Sequence, residues 1–230
     1  MEQPETLKSK NQLKREARRQ RLSESKLKLG NIKKKNKRSK RPKDILNIEP
    51  SGCLTIDLSF SDLMTFGENS SLASQISRIY ALNRRSNHPF NLIFSDVEEF
   101  LTRDTVVKKK FPDCERWNVN WTVGLPTSRE DFVYLTADSP NVLATLDPSK
   151  IYIMGGLVDR NRHKGATYTK AQELSISTAR LPIRESGVSF DGSHILTLLH
   201  AFEILLNFRE TNDWKQSIEA VIPKRKLKSL

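Results

Sequence analysis

Apolar positions along the chain change period several times, and those changes outline its elements. Cys53-Leu54-Thr55-Ile56-Asp57-Leu58 is a short apolar-rich run that predicts a first strand. From Ser70 to Arg85 the residues Leu72, Ile76, Ile79, Tyr80 and Leu82 fall at helical spacing, with Ser70 or Ser71 as the expected cap. Pro89–Phe94 predicts a second strand, and the weak alternation from Trp117 to Val123 a third. Phe132–Thr136 is a dense apolar strand, after which Asp138-Ser139-Pro140 predicts a short helix to Leu146. Ile151–Met154 is another strand, closed by Gly155-Gly156, and Thr167–Leu174 is helical. Ala179–Ile183 reads as a last short strand or an extended loop. His194–Phe208 carries the strongest helical pattern, and Asn212–Val221 forms a final helix capped by Asn212 or Asp213. Phe202, Leu205 and Leu206 are expected in the core, with Trp214 packing a helix. Short apolar strands alternating with helices predict an α/β fold: a mostly parallel sheet with helices on both faces.

Charge adds a second region to this picture. Residues 1–44 hold 17 basic and 5 acidic side chains, while residues 45–230 hold 22 of each, so the whole excess of +12 sits in the first segment. That segment has only eight apolar side chains and cannot build a core. It therefore reads as a basic arm, disordered or helical, ahead of a neutral domain over residues 45–230. Its cluster Lys33, Lys34, Lys35, Lys37 and Arg38 suits a phosphate backbone, because neutralised phosphates release condensed counterions. A nuclear-import signal or a solvated tail would have the same composition.

The remaining counts exclude whole classes. There is no uninterrupted apolar run of about 18 residues, so no membrane span is expected. MEQPETLKSK lacks an apolar stretch and carries acids early, unlike a secretory signal or a presequence. Cys53 and Cys114 are too few for a disulfide scaffold, and His88, His163, His194 and His200 lack metal-ligand spacing, so no metal site is expected. The expected setting is reducing: nucleus, cytoplasm or both.

Ligands of parallel sheets bind outside the carboxyl ends of the strands. Two such ends carry polar chemistry: Leu135–Ser139 and Met154–Asp159. In IYIMGGLVDRNRHK (Ile151–Lys164) a buried strand runs into two glycines, which would let a ligand approach the backbone. One carboxylate and several cations follow at once. An ionised aspartate there can accept a proton or anchor an amine. Arg160, Arg162, His163 and Lys164 can hold RNA phosphates or a cofactor carboxylate. A plain strand-turn with a solvated charged loop fits the same residues. The pattern is neither GxGxxG nor a P-loop.

IYIMGGLVDRNRHKGATYTKAQELSISTARLPI resembles the core of the eukaryotic tRNA (guanine-9) N1-methyltransferases, of the SPOUT class of trefoil-knot methyltransferases. LTIDLS from Leu54, LASQISRIYALN (72–83), VYLTADS (133–139) and HAFEILLNFRETNDWKQSIEAVI (200–222) extend the resemblance over roughly residues 52–224, in the family's order. It implies a C-terminal knot, S-adenosylmethionine as cofactor, tRNA as partner and a monomer. By the same resemblance the cofactor meets Leu135 and Thr136 in one loop. Gly155, Gly156, Val158, Asp159, Arg160 and Asn161 meet it in a second, and Ala179, Leu181, Pro182 and Ile183 in a third. Asp159 falls on the family's proposed base. RNA contacts are expected from the arm and from Arg160, Arg162 and Lys164. Two departures stand out: Leu199 replaces an Asn that the family often has just before the His of the last long helix, and residues 96–131 match poorly.

Guanine N1 carries a proton that must leave before the nitrogen can attack a sulfonium methyl, which a nearby carboxylate would assist. Asp159 is the only acid between the glycine pair and Glu173. The expected activity is methylation of guanine N1 at position 9 of tRNA. Adenine N1 methylation at that position, and a non-catalytic RNA-binding scaffold, remain the alternatives.

Overall fold

The computed structural model describes residues 52–102, 105–111, 114–125, 130–189 and 196–223. The basic arm, with Lys33, Lys34, Lys35, Lys37 and Arg38, lies outside the described residues, as does His194.

Among the described residues, six strands form one sheet: β1 (Cys53–Asp57), β2 (Asn91–Ser95), β3 (Asn120–Thr122), β4 (Phe132–Leu135), β5 (Ile151–Gly155) and β6 (Ser177–Ala179). Their order is β3-β2-β1-β5-β4-β6, and every pairing is parallel. Strand pleating sends alternate side chains to opposite faces, and both faces are apolar here. Leu54, Ile56, Leu92, Phe94, Tyr152 and Met154 join one cluster with Leu72, Ile76 and Ile79 of α1 (Phe66–Asn83) and Phe202 and Leu205 of α5 (Leu198–Thr211). Phe132, Tyr134 and Ile153 face the other way, against Ala171 of α4 (Ala166–Glu173) and Ile176. Helices on both faces are what a buried parallel sheet requires. A third cluster joins Ile183 and Val188 to Ile204 of α5 and to Ile218 of α6 (Trp214–Val221). No described helix is long and apolar enough to cross a membrane.

The main departures from expectation have local causes. Helix α1 begins at Phe66 because Thr65 and Glu68 form a capping box, with Thr65 Oγ1 accepting from the Glu68 amide. The expected caps Ser70 and Ser71 lie inside the helix. No helix forms over residues 138–146. The chain there runs beside the continuation of β6, with Val142 bridging Arg180 and Asn141 Nδ2 donating to the Thr178 carbonyl. Pairing to an open sheet edge outweighs the weak local signal around Pro140. Strand β6 spans Ser177–Ala179, so Ala179–Ile183 is mostly the loop that leaves it. Two short helices, α2 (Val97–Thr102) and α3 (Thr105–Lys110), occupy the stretch that matched no expected element. Asp213 caps α6, while Asn212 ends α5 in the left-handed region at φ 54°. Trp214 stacks on Phe208 at 3.8 Å between ring centroids, in the packing role expected of it.

Candidate active site

A cavity of about 580 Å³ opens beyond the carboxyl ends of β4, β5 and β6, the position such sheets reserve for ligands. Three loops and one helix wall it. Leu135, Thr136, Asp138 and Ser139 follow β4; Gly155, Leu157, Asp159, Asn161 and His163 follow β5; Arg180, Leu181, Ile183 and Arg184 follow β6. The helical wall is Thr197, Leu198, Ala201 and Leu205. A hydroxyl–hydroxyl bond of 2.8 Å between Thr136 and Thr167 ties the first loop to α4.

Of the cofactor residues expected from the sequence, Leu135, Thr136, Gly155, Asp159, Asn161, Leu181 and Ile183 line this cavity; Gly156, Val158, Arg160, Ala179 and Pro182 do not. The glycine pair has a packing role. A Cβ on Gly156 would lie 2.8 Å from the Asp57 carbonyl oxygen, and one on Gly155 would collide with Thr167 Cγ2. The close approach expected of a ligand is, at Gly156, that of β1. The Val158 amide points at Met64 Sδ, 3.2 Å away. The helical wall went unforeseen: Leu198, Ala201 and Leu205 recur at the spacing of any core helix, and nothing in the pattern marks them as ligand-facing. Leu199 is not part of the wall; it packs on the main core, and its amide donates to Gln75 Oε1 at 3.1 Å.

The geometry of the β5–α4 loop centres on Asp159, which is buried at 7% exposure. Arg160 and Asn161 both adopt left-handed backbone, φ 54° and 62°, at a cost of order 1–3 kcal/mol each for residues other than glycine. The turn they make brings amides onto the carboxylate. The Asn161 amide donates to Oδ1 at 2.8 Å and the His163 amide to Oδ2 at 2.6 Å. His163 Nδ1 also meets Oδ2, at 3.1 Å. Burial pushes the Asp159 carboxyl up, but the His163 and Asn161 amides and the His163 ring together outweigh it and hold it below the usual carboxylate value.

The expected phosphate-binding cations separate. Arg160 and Lys164 are exposed. Arg162 instead braces the loop against the start of α1, donating to Glu68 at 2.8 Å and to the Leu63 carbonyl at 3.0 Å.

Beneath the cavity lies a polar group that sequence reasoning missed. Asp57 is fully buried at the end of β1. Its Oδ2 accepts from the Tyr134 hydroxyl at 2.8 Å and from Lys170 Nζ at 2.6 Å, and Lys170 also bonds Ser59 Oγ. Burial, with the Asp57 charge adding to it, pushes the Tyr134 hydroxyl well above its usual value, so it stays a neutral donor. This cluster locks β1, β4 and α4 together under the Gly155 turn.

The model for TRM10/TRM10A, tRNA (guanine(9)-N(1))-methyltransferase, matches residues 2–227 of the chain. The chain belongs to this family. Within the TRM10 family, it is 39% identical over 206 residues to tRNA methyltransferase 10 homolog A of Rattus norvegicus, covering 86% of this chain and 57% of that protein. It is 40% identical over 200 residues to the tRNA (guanine(9)-N1)-methyltransferase of Eremothecium gossypii, covering 82% of this chain and 64% of that one. The chain thus spans between half and two-thirds of the length of these relatives. The crystal structure of full-length spTrm10 with SAH superposes with a TM-score of 0.64 at 34% identity, covering 76% of this chain and 97% of that one. A dual-specific Trm10 from Thermococcus kodakaraensis, 20% identical with a TM-score of 0.54, shares the fold.

Proposed function

We propose that this chain transfers a methyl group from S-adenosylmethionine to N1 of guanine at position 9 of tRNA, with Asp159 assisting removal of the N1 proton. The observation that carries the reading is the mixed cavity at the ends of β4, β5 and β6 with a buried aspartate in its wall, in a TRM10-family chain. The residues present fit the cofactor. The volume falls in the range of small-molecule sites, about 300–1,000 Å³. Leu135, Leu181, Leu198 and Leu205 supply apolar surface for an adenosyl group, and Thr136, Ser139, Asp138 and Arg180 supply polar partners for an amino-acid end. The solved complex of spTrm10 with SAH supports the same cofactor class.

S-adenosylmethionine supplies a methyl already activated on a sulfonium, so the chain's task is alignment and proton removal rather than activation. The three loops orient the donor, and the Asp159 turn draws the N1 proton of the base into the cavity. Position 9 lies in the tRNA body, so the base is turned out to enter. Residues 1–44 act as the RNA-binding arm of a methyltransferase domain over 45–230, and exposed Arg160 and Lys164 extend its grip to the cavity rim. The C-terminal knot belongs to the same proposal. It is supported by the placing of β5 between β1 and β4, and by the return of the chain after β6 to the same cavity.

The test is nucleoside mass spectrometry on two tRNA transcripts that differ only in G or A at position 9, each incubated with the chain and the donor. 1-Methylguanosine from the G transcript is the expected result. Methylation of the A transcript alone assigns the adenine reading. No product, together with no donor binding in calorimetry, assigns the RNA-binding scaffold.

A further inference from the structure

The Asp159 carboxylate is a poor final acceptor for a proton from guanine N1. Two backbone amides and a ring nitrogen already occupy three of its roughly four acceptor positions. The same contacts hold its carboxyl below the usual carboxylate value, even against burial, and a weaker base takes a proton less readily from a weak acid such as an N1–H. Beside it stands a side chain better suited. His163 lines the cavity with 34% of its side chain exposed, and its Nδ1 faces the Asp159 carboxylate across 3.1 Å. An acceptor on that side fixes the proton on Nδ1 and leaves the lone pair on Nε2. A neutral imidazole can accept a proton on one ring nitrogen while donating from the other, which suits general-base work.

We propose that His163 Nε2 takes the N1 proton of the target guanine, and that Asp159 acts as a positioning residue that holds the ring in its Nδ1–H form. The inference rests on the methyltransferase reading above and names the acceptor within it. The N1–H proton passes to Nε2, giving an imidazolium paired with Asp159. The N1 electron pair forms the bond to the methyl carbon as the carbon–sulfur bond breaks, its electrons staying on sulfur. The products are 1-methylguanine and S-adenosylhomocysteine, and the imidazolium releases its proton to water through the exposed part of the side chain.

Among the described residues, the other charged groups lining the cavity are Asp138, Arg180 and Arg184, and Arg160, Arg162 and Lys164 flank the ring on its own loop. Arg180 is engaged by Glu185 in two bonds of 2.9 and 2.6 Å. The groups presented by α4 and by the start of α5, including Thr167, Leu198 and Ala201, are uncharged. Asp159 is thus the acid that the structure pairs with this ring.

Two measurements test the role. The first needs no donor or RNA: nitrogen-15 NMR of the full chain should find His163 in the Nδ1–H tautomer at neutral pH. Asp159→Asn should shift that tautomer balance. An Nε2–H ring in the unaltered chain overturns the proposal. The second is single-turnover methylation of the G9 transcript across pH. The His163 amide contact to Asp159 is a backbone bond, so His163→Asn and His163→Gln keep it. Both variants should bind the donor as the parent does, methylate about 100-fold more slowly, in the range of general acid–base effects, and lose the acid limb of the rate profile. For His163→Gly, added imidazole should restore part of the rate. Parental rates and profiles in the two variants overturn the role of His163 while leaving the methyltransferase reading intact. A parental chain that binds the donor and methylates neither transcript overturns both.

Discussion

Replacing Gly156 by alanine separates a packing glycine from a ligand-approach glycine. The added Cβ would stand 2.8 Å from the Asp57 carbonyl oxygen and 3.0 Å from Leu58 Cδ2. The first neighbour is backbone in the middle of the sheet and cannot rotate away. It also accepts the Gly156 amide at 2.8 Å, so moving β5 outward stretches that bond. Overpacking costs about 1–3 kcal/mol, and weakening one hydrogen bond adds about 0.5–1 kcal/mol. At roughly 2–4 °C per kcal/mol for a domain of this size, the melting temperature should fall by about 3–16 °C. Gly67 in α1 provides the control, since its Cβ would meet nothing within 4 Å. Gly67→Ala should leave the midpoint unchanged or raise it slightly, as alanine favours helix by about 1 kcal/mol over glycine. Differential scanning calorimetry of the three proteins at one scan rate gives the midpoints, and titration calorimetry well below them gives donor affinity. A Gly156→Ala protein that melts with the parent but no longer binds the donor would refute the packing account, because the glycine would then serve the ligand.

Other consequences follow from the same contacts. Lys170→Met leaves the fully buried Asp57 carboxylate with Tyr134 and the Ser59 amide as its partners among the described residues, which should cost about 3 kcal/mol in a denaturant titration. Adding Asp57→Asn should recover part of it, and a purely additive double variant would break the proposed coupling. The Asp159 carboxyl lies below its unfolded value, so it stabilises the fold above that unfolded value and the contribution fades as pH falls through the folded one. Asp159→Asn should therefore lose less stability than the parent between about pH 6 and about pH 3; equal losses, read as urea midpoints, would contradict this. Removing residues 1–44 should weaken tRNA affinity and flatten its dependence on salt, because fewer counterions are released. An unchanged salt slope would make the arm a targeting signal.

Strand positions and faces were largely legible in advance, because a buried parallel strand needs a dense apolar run and each strand of this sheet but β3 and β6 has one. The cap of α1 lies five or six residues before the serines expected for it: serines inside the helix resemble caps, while the true cap depends on Thr65 and Glu68 reaching each other's backbone. The helix expected at 138–146 failed because the edge of β6 offered hydrogen bonds that no local window contains. At the site, the three loops could be named from their strand ends and from a family resemblance. The wall provided by α5 could not, since its cavity residues carry the same spacing as core residues.

By itself, the order of amino acids determined the separation of a basic arm from a neutral domain, the alternation of strands and helices, and the gathering of polar chemistry after Gly156. These depend on residues close together in the chain, where period, charge and turn chemistry act directly. Only the tertiary structure decided that Lys170 meets Asp57 across 113 positions, that Gly156 faces β1 instead of a ligand, and that Arg162 is bound to Glu68 while Arg160 stays open to solvent. Those outcomes turn on which strands become neighbours in the sheet. That choice is made by packing energy summed over the whole core, which no short stretch of sequence holds.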